Sequence, residues 1–125
     1  MEVLQYILVP FTDLFLFALV AVGVFSGIYI GAIPGLSGTM AVSLLVSFTF
    51  GWETNMALAL MVGVFVGAVY GGSRSAILLN IPGAPAAVAT ALDGYPMAQK
   101  GEAGRAMGIV TTQSFIGTLL GIVAL

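Results

Sequence analysis

Long apolar runs dominate the chain, and short polar or proline- and glycine-containing stretches separate them. A run of about 20 apolar residues can cross the roughly 30 Å hydrocarbon core of a bilayer as an α-helix. The pattern predicts one transmembrane region over residues 1–125, with apolar segments at about 14–33, 36–50, 56–72, 73–90 (broken) and 106–125. The predicted fold class is therefore an all-α integral membrane protein, a polytopic bundle of transmembrane helices.

The composition excludes most enzyme classes and favours lipid as the surroundings. Hydrophobic residues make up 60% of the chain and charged residues 6%, whereas soluble domains carry roughly 25% charged residues. The chain has no Cys and no His, which removes thiolate chemistry, a His base and zinc sites built on these residues. Acidic residues are scarce as well, so we expect no enzyme activity. Three basic residues and a net charge of −2 argue against a nucleic-acid partner.

Glycines recur at intervals of four residues in two of the apolar segments. Such a spacing places them on one face of a helix, where a neighbouring helix can approach closely. We expect helix packing at six of them: Gly23, Gly27, Gly31, Gly63, Gly67 and Gly71. Two interpretations remain open, ordinary packing between membrane helices and a sliding interface between moving parts.

Two Pro-Gly pairs, Pro34-Gly35 and Pro82-Gly83, interrupt apolar sequence in similar ways. Proline and glycine together should end one helix and begin another, which predicts discontinuous or re-entrant helices. Irregular backbone at membrane depth persists only where it lines a cavity or is buried in protein, and paired interruptions point to a transporter binding site. Ser37 and Thr39 supply hydroxyls after the first break, and Asn80 precedes the second. The alternative is a tight loop at the membrane surface.

The few charges allow different interpretations. Arg74 either binds a carboxylate directly or lies at the interface, where it would cap the end of the third apolar segment. Asp93 either coordinates a cation or belongs to a polar turn, because Asp-Gly and Tyr-Pro both signal turns. Lys100 and Arg105 share one short polar stretch, which the positive-inside rule places in the cytoplasm. The pattern does not decide whether residues 73–90 cross the membrane or re-enter it.

Several ordered motifs carry a resemblance to a known family. They are IPGLSGT at 33–39, YGGS at 70–73, AILLNIPG at 76–83 and ALDGYPMA at 91–98. From about Gly23 onward the chain resembles the large membrane (permease) subunit of the tripartite tricarboxylate transporters. Family members are several times longer, and this chain stops inside an apolar run. The resemblance therefore implies the N-terminal part of a longer permease.

The resemblance also implies a function. It implies a multi-pass protein of the bacterial inner membrane, a secondary transporter that imports tricarboxylates or dicarboxylates such as citrate. Implied partners are a small membrane subunit and a periplasmic solute-binding protein. No cofactor is implied beyond a coupling sodium ion or proton, and whether a metal site exists is left open. The alternative is a non-transporting membrane scaffold or assembly subunit, or an inactive truncated permease.

Carried over from the family motifs, the substrate-binding residues would surround the two Pro-Gly pairs. They are Pro34, Gly35, Ser37, Gly38, Thr39, Ser73, Asn80, Pro82 and Gly83. Ser37 stands where many relatives have Gly, and Arg74 stands at a variable position. Both differences bear on which anion is carried.

Overall fold

The computed structural model describes residues 2–125, and the side chains of these residues except 6, 7, 9 and 10; Met1, where the predicted transmembrane region begins, lies outside them. The helices are α1 Glu2–Thr12, α2 Leu14–Ala32, α3 Gly38–Phe48, α4 Thr54–Leu79, α5 Val88–Gln99 and α6 Ala103–Ala124. No strand occurs in the described residues, and α2, α4 and α6 are long and apolar enough to span a membrane. The predicted all-α membrane fold is confirmed.

Helices α2 and α4 pack side by side along their glycines and run in the same direction. A Cβ built on Gly23 would lie 2.7 Å from the Leu60 carbonyl oxygen, and one on Gly71 would lie 2.9 Å from the Ala32 backbone nitrogen. The contact therefore advances in step along both helices. Each of the six predicted glycines lies in this contact, and a side chain on any of them would collide with the partner backbone. Close approach of this kind maximises van der Waals contact between helices in lipid.

The parallel pairing requires the chain between α2 and α4 to run back along the pair, and α3 makes most of this return. A Cβ built on Gly38, the first residue of α3, would lie 3.1 Å from the Ala68 Cβ and 3.6 Å from the Phe65 ring. Phe65 and Ala68 are the twelfth and fifteenth of the 26 residues of α4. Helix α3 therefore begins beside the middle of the longest helix rather than beside its end.

Helix α4 is longer than the sequence pattern predicts. The third apolar segment was predicted to end near residue 72, with a broken segment over 73–90, whereas α4 continues to Leu79. Its polar residues are accommodated within the helix: the Ser73 hydroxyl donates to the Val69 carbonyl at 3.3 Å, and the Ser75 hydroxyl donates to the Gly72 carbonyl at 3.0 Å. Because these hydroxyls bond back to the preceding turn, they do not end the helix. Irregular backbone begins only at Asn80.

The expected polar turn around Asp93 is wrong, because this residue lies in the middle of α5. A Cβ built on Gly94 would lie 2.7 Å from the Ile77 side chain, so this glycine lets α5 approach the last third of α4. Ala87 and Ala91 form a buried cluster with Ala76 of α4. Packing against α4 thus overrides the local turn preference of Asp-Gly. Pro96 lies inside α5, four residues before Lys100 caps the helix.

Apolar side chains lie mainly on the outside of this bundle. Large exposed hydrophobic residues occur along every helix, and the largest fully buried side chains are Ile77 and Val64. Helix α6 has the least burial of the three long helices. A soluble protein seldom exposes such continuous apolar surface, whereas a membrane protein presents it to lipid. Within the described residues, the outside of the molecule therefore fits the predicted bilayer surroundings.

Candidate functional site

The first Pro-Gly pair forms a tight turn that ends α2. The Leu36 N–H donates to the Ile33 carbonyl at 3.2 Å, and Gly35 has φ +95°. Proline followed by a residue with positive φ is typical of a type II turn. A Cβ on Gly35 would meet nothing within 4 Å, so the backbone angle rather than space calls for glycine there. The sequence prediction that Pro34-Gly35 interrupts the helix is therefore explained by turn geometry.

Ser37 caps the helix that follows this turn. Its hydroxyl oxygen accepts from the Met40 N–H at 3.3 Å and pairs with the Thr39 hydroxyl at 2.8 Å. A serine cap satisfies one of the first backbone N–H groups of a helix. The N–H groups of Gly38 and Thr39 belong to the first turn as well, so no carbonyl within the helix can accept from them. These N–H groups, the positive end of the α3 dipole and two hydroxyls form a small polar cluster. It lies beside the middle of α4.

The second Pro-Gly pair folds back onto the end of the α2–α4 pair. Asn80 ends α4 in the left-handed conformation, with φ 56°. The chain then returns, and the Gly83 N–H donates to the Gly72 carbonyl at 3.4 Å. A Cβ on Gly83 would lie 2.7 Å from the Gly72 Cα and would collide with the Gly31 carbonyl oxygen. Residues 80–84 therefore fold back against α4 before Pro85–Ala87 and α5 resume helical structure.

The two breaks converge on one end of the α2–α4 pair. Gly31, against which Gly83 packs, lies three residues before Pro34. Gly72 is the nineteenth residue of α4, so the contact of Gly83 lies about 6 Å further along this helix than Ala68, where α3 begins, at 1.5 Å per residue. The start of α3 and Gly83 thus lie beside the length of α4, short of its final turn, whereas Asn80 directly follows its last residue.

The structure divides the nine predicted substrate-binding residues among three places. The first break holds Pro34, Gly35, Ser37, Gly38 and Thr39, and the second holds Asn80, Pro82 and Gly83. Ser73 lies apart from both, in a groove between α2, α4 and α6. Among residues 2–125, no hydrogen bond joins the Ser37–Thr39 pair to the second break. The assignment of these residues to substrate binding stays a prediction.

A polar chain that was not predicted from the sequence links α4 to α6. The Tyr70 hydroxyl lies 2.9 Å from the Thr111 hydroxyl, and an Arg74 guanidinium nitrogen donates to the Tyr70 hydroxyl at 3.3 Å. The same guanidinium lies 4.7 Å from the centre of the Tyr70 ring. Tyr70 and Arg74 are four residues apart, so this contact was predictable once α4 was known to continue past residue 72.

A groove lies beside this polar chain. Its volume is about 730 Å³, and mostly apolar residues of α2, α4 and α6 line it. Its polar groups include the hydroxyls of Tyr70, Ser73, Thr111, Ser114 and Thr118. A cavity of this size, with few polar groups, is in the range of small-molecule sites. A second cavity of about 360 Å³ lies between α5 and α6 and includes Asp93 and Gln113.

Among residues 2–125, no group of three or more His, Cys, Asp or Glu could hold a metal ion.

Comparison with known proteins identifies the family. The model of the tripartite tricarboxylate transporter TctA family matches residues 17–125. A protein of Agrobacterium vitis, described as an uncharacterized 52.8 kDa protein in the TAR-I ttuC' 3'region, is 41% identical over 103 residues. The match covers 79% of this chain and 20% of the relative, so the chain spans about a fifth of that protein's length. No solved structure matches. The chain belongs to the tripartite tricarboxylate transporter TctA family.

Proposed function

We propose that this chain forms part of the substrate region of a permease that imports tricarboxylate or dicarboxylate anions. The convergence of the two Pro-Gly breaks beside the length of α4 carries the proposal. Interrupted helices near the middle of a membrane span are the usual construction of secondary-transporter binding sites. Membership of a transporter family also supports the proposal that the protein is a permease.

The polar cluster at the start of α3 has the chemistry that a carboxylate requires. Backbone N–H groups at a helix N-terminus bind anions, and the helix dipole adds a partial positive charge. The hydroxyls of Ser37 and Thr39 lie next to these N–H groups. At the second break, the Asn80 side chain is exposed and carries an amide that can donate a hydrogen bond.

Coupling and partners belong to the same proposal. A permease of this family would work with a small membrane subunit and a periplasmic solute-binding protein, in the bacterial inner membrane. Import would be driven by a sodium or proton gradient. Asp93, in the smaller cavity with Gln113, is a carboxylate near which a coupling cation could bind.

Uptake by the full-length protein tests the proposal. The permease, its small subunit and its binding protein would be reconstituted in proteoliposomes and offered labelled citrate, succinate and acetate under sodium or proton gradients. We expect uptake of at least one multivalent acid that depends on the binding protein and on one cation gradient. No uptake of any acid, from a correctly folded complex, would contradict the proposal.

The close α2–α4 contact also favours a second candidate, a scaffold subunit that assembles other membrane proteins without transporting anything. Under this alternative, changes at the α2–α4 glycines disrupt assembly, while removal of the Thr39 hydroxyl has no effect on uptake by the assembled complex. Thr39→Val is the suitable variant, because it keeps the shape of the side chain. Loss of uptake in Thr39→Val with intact assembly would reject the scaffold alternative.

A further inference from the structure

Arg74 is a charged residue inside a membrane-spanning helix without an acidic partner in the described chain. The ion pair found in residues 2–125 joins Arg105 to Glu102, and no carboxylate oxygen lies within 4.0 Å of Arg74. Its described hydrogen bond is the one to the Tyr70 hydroxyl. Most of its five N–H donors therefore remain available. An arginine at membrane depth is costly and usually has a functional partner.

The guanidinium is directed back along α4, away from the end of the helix. It lies over the ring of Tyr70, and Tyr70 is nine residues before the end of α4, or about 13 Å at 1.5 Å per residue. Helix α4 is about 39 Å long and a hydrocarbon core is roughly 30 Å thick. In an α4 that is centred on the core, a guanidinium level with Tyr70 lies several ångströms inside it. An arginine that only caps the interface would extend toward the helix end instead.

A cavity with hydroxyl groups lies next to this charge. Tyr70 and Ser73 line the groove of about 730 Å³, together with Thr111, Ser114 and Thr118 of α6. Arginine binds carboxylates in a planar, two-pronged manner, and hydroxyl groups can complete the coordination of an anion. The groove is also large enough for a six-carbon acid.

We propose that Arg74, held by Tyr70 at the edge of the groove between α2, α4 and α6, forms a carboxylate-binding subsite separate from the two Pro-Gly breaks. This subsite rests on the proposed function, because the substrate would supply the carboxylate. Tyr70 holds the guanidinium in place through its ring and hydroxyl, and Thr111 fixes the Tyr70 hydroxyl. A substrate with an additional carboxylate gains most from this site, so Arg74 sets the preference for multivalent acids.

Direct binding to the purified full-length permease tests the subsite. Dissociation constants for citrate, succinate and acetate would be measured for the wild type, Arg74→Gln, Arg74→Lys and the control Arg105→Gln. Arg105 is also an exposed arginine, but it pairs with Glu102 at the start of α6. We expect Arg74→Gln to raise the Kd for citrate roughly 10- to 100-fold, the loss that removal of a charged hydrogen bond produces. Arg74→Lys should recover part of the affinity, and Arg105→Gln should bind as the wild type does.

Three results would overturn the subsite. An unchanged citrate Kd in Arg74→Gln, with wild-type binding intact, would reject it and leave the permease proposal standing. An unchanged Kd together with a lower melting temperature would likewise reject it and limit Arg74 to a structural role, such as its contact with Tyr70. If the wild type binds none of the three acids and also transports none, the subsite and the permease proposal fail together.

Discussion

Gly23 of α2 and Gly63 of α4 face each other so closely that a Cβ built on either glycine would lie 3.2 Å from the Cα of the other. The same approach repeats one helical turn later between Gly27 and the backbone around Val64, and again at Gly31 and Gly71. Three successive turns of contact join α2 and α4 into one unit. Because α2 and α4 run in the same direction, α3 must lead the chain back from the end of α2 to the start of α4. The pairing of α2 and α4 therefore also determines where both Pro-Gly breaks lie.

The first prediction concerns the stability of this unit. Gly67→Ala should destabilise the protein, because the new Cβ would lie 3.0 Å from the Ile28 backbone nitrogen and closer still to the Val24 carbonyl. Overpacking of this kind costs about 1–3 kcal/mol. The melting temperature of the purified full-length protein in detergent measures the effect.

Gly108→Ala is the matched control for that change. Gly108 also lies inside a helix, but a Cβ there would meet nothing within 4 Å. Alanine is favoured over glycine in a helix by about 1 kcal/mol, so this variant should be as stable as the wild type or more so. Equal melting temperatures for Gly67→Ala and Gly108→Ala would show that the α2–α4 contact is not as close as described.

The second prediction separates the side chain of Asn80 from its backbone conformation. Asn80 has φ 56°, a conformation that costs roughly 1–2 kcal/mol for a residue such as alanine but not for glycine. Asn80→Ala should therefore lower both stability and transport, whereas Asn80→Gly should lower transport alone. Melting temperature and uptake of the same preparations measure the two effects. Wild-type uptake by Asn80→Gly would exclude the amide from the substrate site.

The third prediction concerns topology. Glu53 precedes α4, and Gln99 ends α5, which packs beside the last third of α4. Since α4 is long enough to span the membrane, these two exposed positions should lie on opposite sides, with Gln99 in the cytoplasm beside Lys100 and Arg105. Single-cysteine variants Glu53→Cys and Gln99→Cys, in an otherwise cysteine-free full-length protein, test this with a membrane-impermeant maleimide.

Intact cells or right-side-out vesicles should label Glu53→Cys, and inside-out vesicles should label Gln99→Cys. This chain contains no natural cysteine, so it adds no background labelling. Labelling of both positions from the same side would contradict α4 as a membrane-spanning helix.

The sequence pattern predicted those features that depend on local chemistry. The length of the apolar run at about 14–33 agrees with α2, which ends one residue earlier, at Ala32. Pro34-Gly35 interrupts the helix because proline and a residue with positive φ suit a type II turn. The fold class and the family are both confirmed. These results follow from hydrophobicity, helix length and turn geometry, which a single sequence shows directly.

Features that depend on contacts between distant residues were not predictable in this way. The third apolar segment was predicted to end near residue 72, but the Ser73 and Ser75 hydroxyls bond to preceding carbonyls and α4 continues to Leu79. Asp93-Gly94 suggested a turn, but Gly94 lets α5 pack against Ile77. The collision of a Gly83 side chain with Gly31 depends on the fold-back of the chain, so Gly83→Ala would test packing rather than substrate contact.

Protection of Thr39→Cys from alkylation tests whether a carboxylate binds at the Pro-Gly breaks. In the full-length permease, a saturating concentration of the transported acid should slow alkylation of Thr39→Cys several-fold. Ser43→Cys, one turn further along α3 and also exposed, should react at an unchanged rate. Alkylation of Thr39→Cys at the same rate with and without the acid, in a protein that still transports it, would contradict binding at the breaks.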